Sequence, residues 1–171
     1  MKNILLTIFS FFFFSSFITV QNSWNPPKNY VLKDSADYDL YASDIVAAAS
    51  WMETAKFKPS DTKWLQAEKF AFQWGNGSPK VSIALTETLM KEACKKNKEF
   101  MFVFMCGYCA NDIVTQYNAS DLNNHLAGYR LIFKVYQNAA KKSKDKKLEK
   151  LIAMDNKNEL SEYIEARLPK Q

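Results

Sequence analysis

Glycine and proline are scarce in this sequence, with only four and five residues among 171. Sandwiches and barrels built from β-strands need many turns, and glycine and proline are the residues that turns favour. Their scarcity therefore argues against an all-β fold. The apolar residues make up 47% of the chain and include many aromatic side chains. A helical fold could bury a sizeable core with this composition.

Motifs of common enzyme classes are also absent. The sequence contains no Gly-x-Gly-x-x-Gly, no phosphate-binding loop of the Walker type and no Gly-x-Ser-x-Gly elbow. His125 is the only histidine, and its place beside the apolar stripe of a predicted helix favours a structural role. We therefore assign no catalytic residue and no cofactor, and we expect a non-enzymatic domain.

The N-terminus has the features of a secretory signal peptide. Lys2 precedes a stretch from Ile4 to Ile18 that is almost entirely apolar. This stretch is shorter than the ~20 apolar residues that cross a membrane. We predict a signal peptide at residues 1–20 and export to the periplasm or the extracellular space. An uncleaved anchor is the alternative, because Ile18 and Val20 are larger than the residues preferred before a cleavage site.

The rest of the chain predicts one all-α domain. Residues 21–40 contain Pro26-Pro27 and predict an extended lead-in. Residues 41–171 predict a single compact domain of about five to seven helices. The main predicted helices cover residues 41–55, 61–75, 98–117, 120–140, 146–154 and 158–168, with a further helix ending near residue 95. No segment after the signal is long enough for a transmembrane span.

A Cys-x-x-Cys motif, Cys106-Gly107-Tyr108-Cys109, follows the apolar run of residues 100–106. Thiol-disulfide oxidoreductases carry such a pair at a helix N-terminus, where the helix dipole stabilises a thiolate. A thioredoxin-like fold also needs strands and a proline downstream of the motif. Here the only later proline is Pro169, and the downstream sequence is helical. Packing of both cysteines inside a helical core is therefore the favoured interpretation, with a redox enzyme as the alternative.

Two other uses of the cysteines are weaker. The set Cys94, Cys106, Cys109 and His125 supplies four ligands of the types that zinc prefers. Its spacing is not that of a compact zinc unit, so we predict no metal site. A disulfide among these cysteines is plausible in an oxidising compartment and would leave one thiol unpaired.

Positive charge is concentrated near the C-terminus. Residues 134–150 contain seven lysines and only two acidic residues. A single basic segment is not the profile of a nucleic-acid binder, so we expect no nucleic-acid partner. One interpretation is a solvated helix end, where cations complement the C-terminal dipole. The other is a contact with an anionic envelope surface or another exported protein, made by Lys141, Lys142, Lys144, Lys146 and Lys147.

Four segments carry a resemblance to known proteins: Ser-Asp-Ile-Val-Ala at 43–47, Phe-Ala-Phe-Gln-Trp at 70–74, Gly-Ser-Pro-Lys-Val at 77–81 and Leu-Glu-Lys-Leu at 148–151. With them the chain resembles a group of small exported bacterial helical proteins of unknown function. The resemblance implies no activity. Our main expectation is an exported binding or envelope-associated domain. The alternatives are a thiol-disulfide enzyme using Cys106 and Cys109 and a helical carrier of a small apolar ligand, which would need an apolar cavity.

Overall fold

Eight α-helices build the part of the protein that the computed structural model describes, residues 23–140 and 144–169. These residues form no strand, only an isolated bridge between Phe57 and Ala139, so the predicted all-α class is confirmed. The signal peptide predicted at residues 1–20 lies outside the described residues. The helices are α1 Ser35–Leu40, α2 Ala42–Thr54, α3 Thr62–Gly77, α4 Glu87–Cys94, α5 Phe100–Val114, α6 Asp121–Gln137, α7 Lys146–Asn156 and α8 Leu160–Glu165.

Side-chain caps explain where several helices begin. The carboxylate of Asp61 accepts hydrogen bonds from the first backbone N–H groups of α3, and Asp145 does the same for α7. Thr86 caps α4 and Ser120 caps α6 through their hydroxyl oxygens. Each cap satisfies backbone donors that have no partner within the helix.

Some predicted boundaries were wrong. The last six residues of the predicted lead-in 21–40 form α1, because Asp34 and Asp37 make a capping box that starts a helix. This helix brings the number in the described residues to eight, above the predicted five to seven. The second predicted helix continues through Gly75 to Gly77, since none of the described glycines adopts the positive φ that would end it.

Helix α5 lies at the centre of the fold. It packs against α2, α3, α4 and α6, and most of its side chains are buried. Residues 100–106 are apolar all round for this reason, and their predicted helical structure is confirmed. Among the described residues, no helix has the length and apolar character needed to cross a membrane.

The crossing of α5 and α6 depends on two glycines. A Cβ atom added at Gly107 would lie 3.0 Å from the Ala127 carbonyl oxygen and 3.0 Å from the Gly128 Cα. A Cβ added at Gly128 would lie 2.9 Å from the Phe104 carbonyl oxygen. The two backbones therefore approach more closely than any larger residue allows, which fixes the pairing of α5 with α6.

Two contacts tie connecting segments together. The Ala140 N–H, just after α6, donates to the Phe57 carbonyl oxygen between α2 and α3, at 3.1 Å. The Lys96 ammonium, just after α4, donates to the Lys144 carbonyl oxygen at 2.5 Å. Segments that are far apart in sequence thus meet, and the two candidate sites described below lie among them.

Candidate functional site

The two cysteines of the Cys-x-x-Cys motif are buried in the middle of α5. Cys106 is the seventh residue of the helix, so it does not face the free N–H groups of a helix N-terminus. Both side chains are 0% exposed. Burial raises the pKa of the Cys106 thiol to about 12. The pKa of Cys109 is raised too, by burial first and then by Cys106 and Asp112.

A thiol-disulfide enzyme needs an accessible cysteine with a lowered pKa. In this fold Cys106 and Cys109 have the opposite properties, because they pack against α2 and α3. The Cys106 Sγ lies 3.8 Å from the Ile45 carbonyl oxygen, and the Cys109 Sγ lies beside Gly75. Cys94, Cys106 and Cys109 are all free thiols, not joined in a disulfide. The geometry favours the packing interpretation of the motif over the redox one.

The four residues considered as a zinc set, Cys94, Cys106, Cys109 and His125, are not brought together. His125 is fully buried, and its ring nitrogens lie 2.7 Å from the Asp121 carbonyl oxygen and 3.0 Å from that of Ala84. Within residues 23–140 and 144–169, no three His, Cys, Asp or Glu side chains group in a way that could hold a metal ion. The physical reason is that the helices turn these side chains towards different neighbours.

A cluster of lysines surrounds one cleft of about 390 Å³. We call it the lysine cluster, and its members are Lys95, Lys96, Lys144, Lys146 and Lys147. All five are exposed. Among the described residues, Asp145 is the one acidic residue lining the cleft. Its carboxylate accepts hydrogen bonds from the backbone N–H groups of Lys147 and Leu148. The cleft therefore combines several solvent-facing ammonium groups with a carboxylate engaged in capping α7.

Sequence reasoning found only part of this cluster. It predicted Lys144, Lys146 and Lys147 as contact residues, together with Lys141 and Lys142, which lie outside the described residues. It missed Lys95 and Lys96, which are about 50 positions earlier and reach the cluster only through the packing of α4 near α7. The run of lysines at residues 95–98 was a visible signal, but nothing local indicates where it lies.

A second cleft, of about 340 Å³, lies between the α2–α3 connection, the start of α5 and the end of α6. We call it the aromatic cleft, because the rings of Phe57, Phe100 and Tyr136 line it. Lys58 and Asn97 also line it. Sequence analysis did not predict this site, since its residues come from three separate segments.

The chain was compared with models of protein families, with curated proteins and with solved structures, and none of them matches it. The resemblance to exported helical proteins therefore stays a prediction. The function has to be argued from the residues of this chain alone.

Proposed function

We propose that the protein is an exported, non-enzymatic helical domain that binds an anionic membrane surface through the lysine cluster. The observation that carries this proposal is the convergence of Lys95 and Lys96, at the end of α4, with Lys144, Lys146 and Lys147, at the start of α7. Ammonium groups held close together attract anions more strongly than the same groups dispersed over the surface.

The position of Lys146 and Lys147 supports a role in binding. Both residues lie in the first turn of α7, where the helix dipole is positive and a cation is unfavourable by about 0.3–1 kcal/mol. The solvated helix end, the simpler interpretation from sequence, concerns the end of α6, whose last turn holds Lys134; it does not account for lysines in the first turn of α7. The charges of Lys146 and Lys147 therefore lower the stability of α7. A binding function explains why lysines occupy these positions despite this loss of stability.

The chemistry of the cluster favours a membrane surface over a single bound phosphate. All five cations are lysines, which act as mobile point charges, whereas arginine provides the planar fork for bidentate phosphate binding. Each lysine close to an anionic leaflet contributes about 1 kcal/mol. A patch of five therefore suits a diffuse array of lipid head groups.

Export remains part of the proposal and rests on the apolar residues 4–18 after Lys2. Expression in the native host should give a protein that has lost about twenty N-terminal residues. Intact-mass measurement of the protein from the envelope or culture fluid checks this. A soluble cytoplasmic protein that keeps Met1 would contradict it.

Vesicle co-sedimentation tests the binding. We expect the protein to bind phosphatidylcholine vesicles that contain about one third phosphatidylserine and not to bind pure phosphatidylcholine. Binding should be lost as salt rises from about 0.1 M to about 1 M, because the Debye length falls from about 10 Å to about 3 Å. Glutamine at all five positions of the lysine cluster should weaken binding at least about tenfold.

A matched control carries the same change of net charge elsewhere. Its substitutions to glutamine are at exposed lysines outside the cluster: Lys28, Lys33, Lys56, Lys69 and Lys157. This variant should keep most of the binding. The proposal fails if the wild-type protein does not bind at low salt, or if the control variant loses as much binding as the cluster variant.

A further inference from the structure

His125 lies on α6 with both of its ring nitrogens beside carbonyl oxygens. Nδ1 lies 2.7 Å from the Asp121 carbonyl oxygen, and Nε2 lies 3.0 Å from the Ala84 carbonyl oxygen. A carbonyl oxygen only accepts hydrogen bonds, and a neutral imidazole carries a proton on one nitrogen alone. A neutral ring would therefore point a nitrogen lone pair at an oxygen inside the protein. Both contacts are hydrogen bonds only when His125 carries two ring protons and a positive charge.

Turning the imidazole ring over does not remove this conflict. The rotation exchanges each nitrogen with a ring carbon, so C–H groups would take the positions at 2.7 and 3.0 Å from the two oxygens. Contacts of the C–H···O type are normally about 3.3–3.6 Å long. The side chain is also 0% exposed and packs against the rings of Phe104 and Tyr108, at centroid distances of 5.4 and 5.3 Å. Close packing of this kind keeps the ring in its place.

The acidic groups around His125 favour a positive charge. The Asp121 carboxylate, one turn earlier on α6, accepts a hydrogen bond from the Tyr108 hydroxyl at 2.9 Å. The Asp112 carboxylate on α5 accepts one from the side chain of Asn124, the residue before His125, at 3.0 Å. Carboxylates near a buried imidazolium lower the cost of removing its charge from water.

The neighbouring cations are already paired with acids. These cations are Lys80 before α4, Lys91 on α4 and Arg130 on α6. Their nitrogen atoms lie 2.6, 2.5 and 2.9 Å from carboxylate oxygens of Asp39, Glu87 and Asp155, respectively. Helix α5 contains no cation, and burial raises the pKa of its two thiols, Cys106 and Cys109, which therefore stay neutral. The elements around His125 thus leave its charge largely unopposed.

The Ala84 carbonyl belongs to the connection between α3 and α4, residues 78–86, which contains no helix or strand. Among the described residues, side chains of other elements bond its backbone at two points. The Tyr108 hydroxyl donates to the Ser82 carbonyl oxygen at 3.0 Å, and His125 reaches that of Ala84. The position of this connection therefore depends on His125.

We propose that His125 is a pH-sensitive switch, which holds the α3–α4 connection against α5 and α6 as an imidazolium and releases it when the Nε2 proton passes to the solvent. Nε2 is the nitrogen that loses its proton, because its contact is the longer of the two. The bare nitrogen then repels the Ala84 carbonyl oxygen, and the connection moves away. This switch does not depend on the proposed membrane contact.

NMR of the full chain labelled with ¹⁵N-histidine tests the charge. His125 is the only histidine, so the spectrum contains one pair of ring nitrogens. At about pH 7.5 an unperturbed histidine is about nine-tenths neutral. We expect both ring nitrogens of His125 to carry a proton at this pH. A ring with one bare nitrogen would overturn the proposal.

The response of the connection is followed by the ¹³C signal of the Ala84 carbonyl as the pH rises from about 7.5 to about 10. We expect this signal and the amide signals of residues 81–85 to shift together with the loss of the Nε2 proton. His125→Gln should abolish the shift. An Ala84 signal that stays constant in the wild type, or that still titrates in His125→Gln, would overturn the switch. The wild-type titration decides the matter even if the variant does not fold.

Tyr108→Phe is the matched control, because it removes the other hydrogen bond to the connection. Burial, and then the hydrogen bond to Asp121, raise the pKa of Tyr108, so its hydroxyl keeps its proton over the range studied. The variant should shift the Ser82 signals equally at every pH and leave the titration of the Ala84 signal in place. Loss of that titration in Tyr108→Phe would assign the response to Tyr108 and contradict the role of His125.

Discussion

Glu68, on α3, is a buried acid. Its side chain is only 4% exposed, and its Oε1 atom has no hydrogen-bond partner among the described residues. Burial, and then the nearby carboxylate of Glu99, raises the pKa of Glu68 to about 7. We predict that Glu68→Gln stabilises the protein at pH 8 and has little effect on stability at pH 4.

The direction follows from proton binding. The unfolded chain releases the Glu68 proton near pH 4.5, whereas the folded chain keeps it until about pH 7. Stability is therefore lost as pH rises through this window, and the loss is complete above about pH 7. At about 1.4 kcal/mol per pH unit, a rise in pKa from 4.5 to about 7 gives a loss of about 3.5 kcal/mol. Solvent screening reduces this figure, so we expect the substitution to recover about 1–3 kcal/mol.

Urea unfolding measured by tryptophan fluorescence provides the assay. The free energy of unfolding is compared between wild type and Glu68→Gln at pH 4 and at pH 8, so that all other titrating groups cancel. Glu53→Gln, at an exposed site on α2, is the control and should show no pH-dependent difference. The reasoning is refuted if the difference between wild type and Glu68→Gln is the same at both pH values.

Two further predictions concern packing. Gly128→Ala should destabilise the fold by about 1–2 kcal/mol, because the added Cβ meets the backbone of α5 and overpacking outweighs the gain in helix propensity. Gly75→Ala should change stability by less than about 1 kcal/mol, since the added Cβ meets only side-chain atoms. Urea unfolding midpoints of the two variants provide the comparison. Equal losses of stability would contradict the close crossing of α5 and α6. The buried thiols of Cys106 and Cys109 should react with a thiol reagent only after unfolding, and the protein should not reduce insulin disulfides. Insulin reduction that disappears when both cysteines become serine would restore the redox alternative.

The helical character of the chain and most helix positions could be predicted from sequence. Asp61 and Ser120 cap helices because a side-chain oxygen two or three residues away can reach the first backbone N–H groups. These are local effects that neighbouring residues decide by themselves. The missed helix α1 was local too: the capping box of Asp34 and Asp37 is readable in the sequence, but the prolines before it made the segment look extended.

The candidate sites could be predicted only in part. The lysines of residues 144–147 were visible as a basic run, but their association with Lys95 and Lys96 depends on how α4 and α7 lie relative to each other. The aromatic cleft was not predictable at all, because Phe57, Phe100 and Tyr136 come from three different connections and helix ends. Aromatic residues at such positions give the same sequence pattern whether they fill a core or line a cleft.

The sequence by itself determined the all-α class and the location of most helices, since caps and apolar spacing act over a few residues. Only the tertiary structure decided what each side chain faces. It buried the thiols of Cys106 and Cys109 and turned His125 towards two carbonyl oxygens. It also left the Oε1 atom of Glu68 without a hydrogen-bond partner within residues 23–140 and 144–169. These outcomes depend on contacts between distant segments, such as the close crossing at Gly107 and Gly128. At such contacts, packing and desolvation set the environment of each group, and neither can be read from neighbouring residues alone.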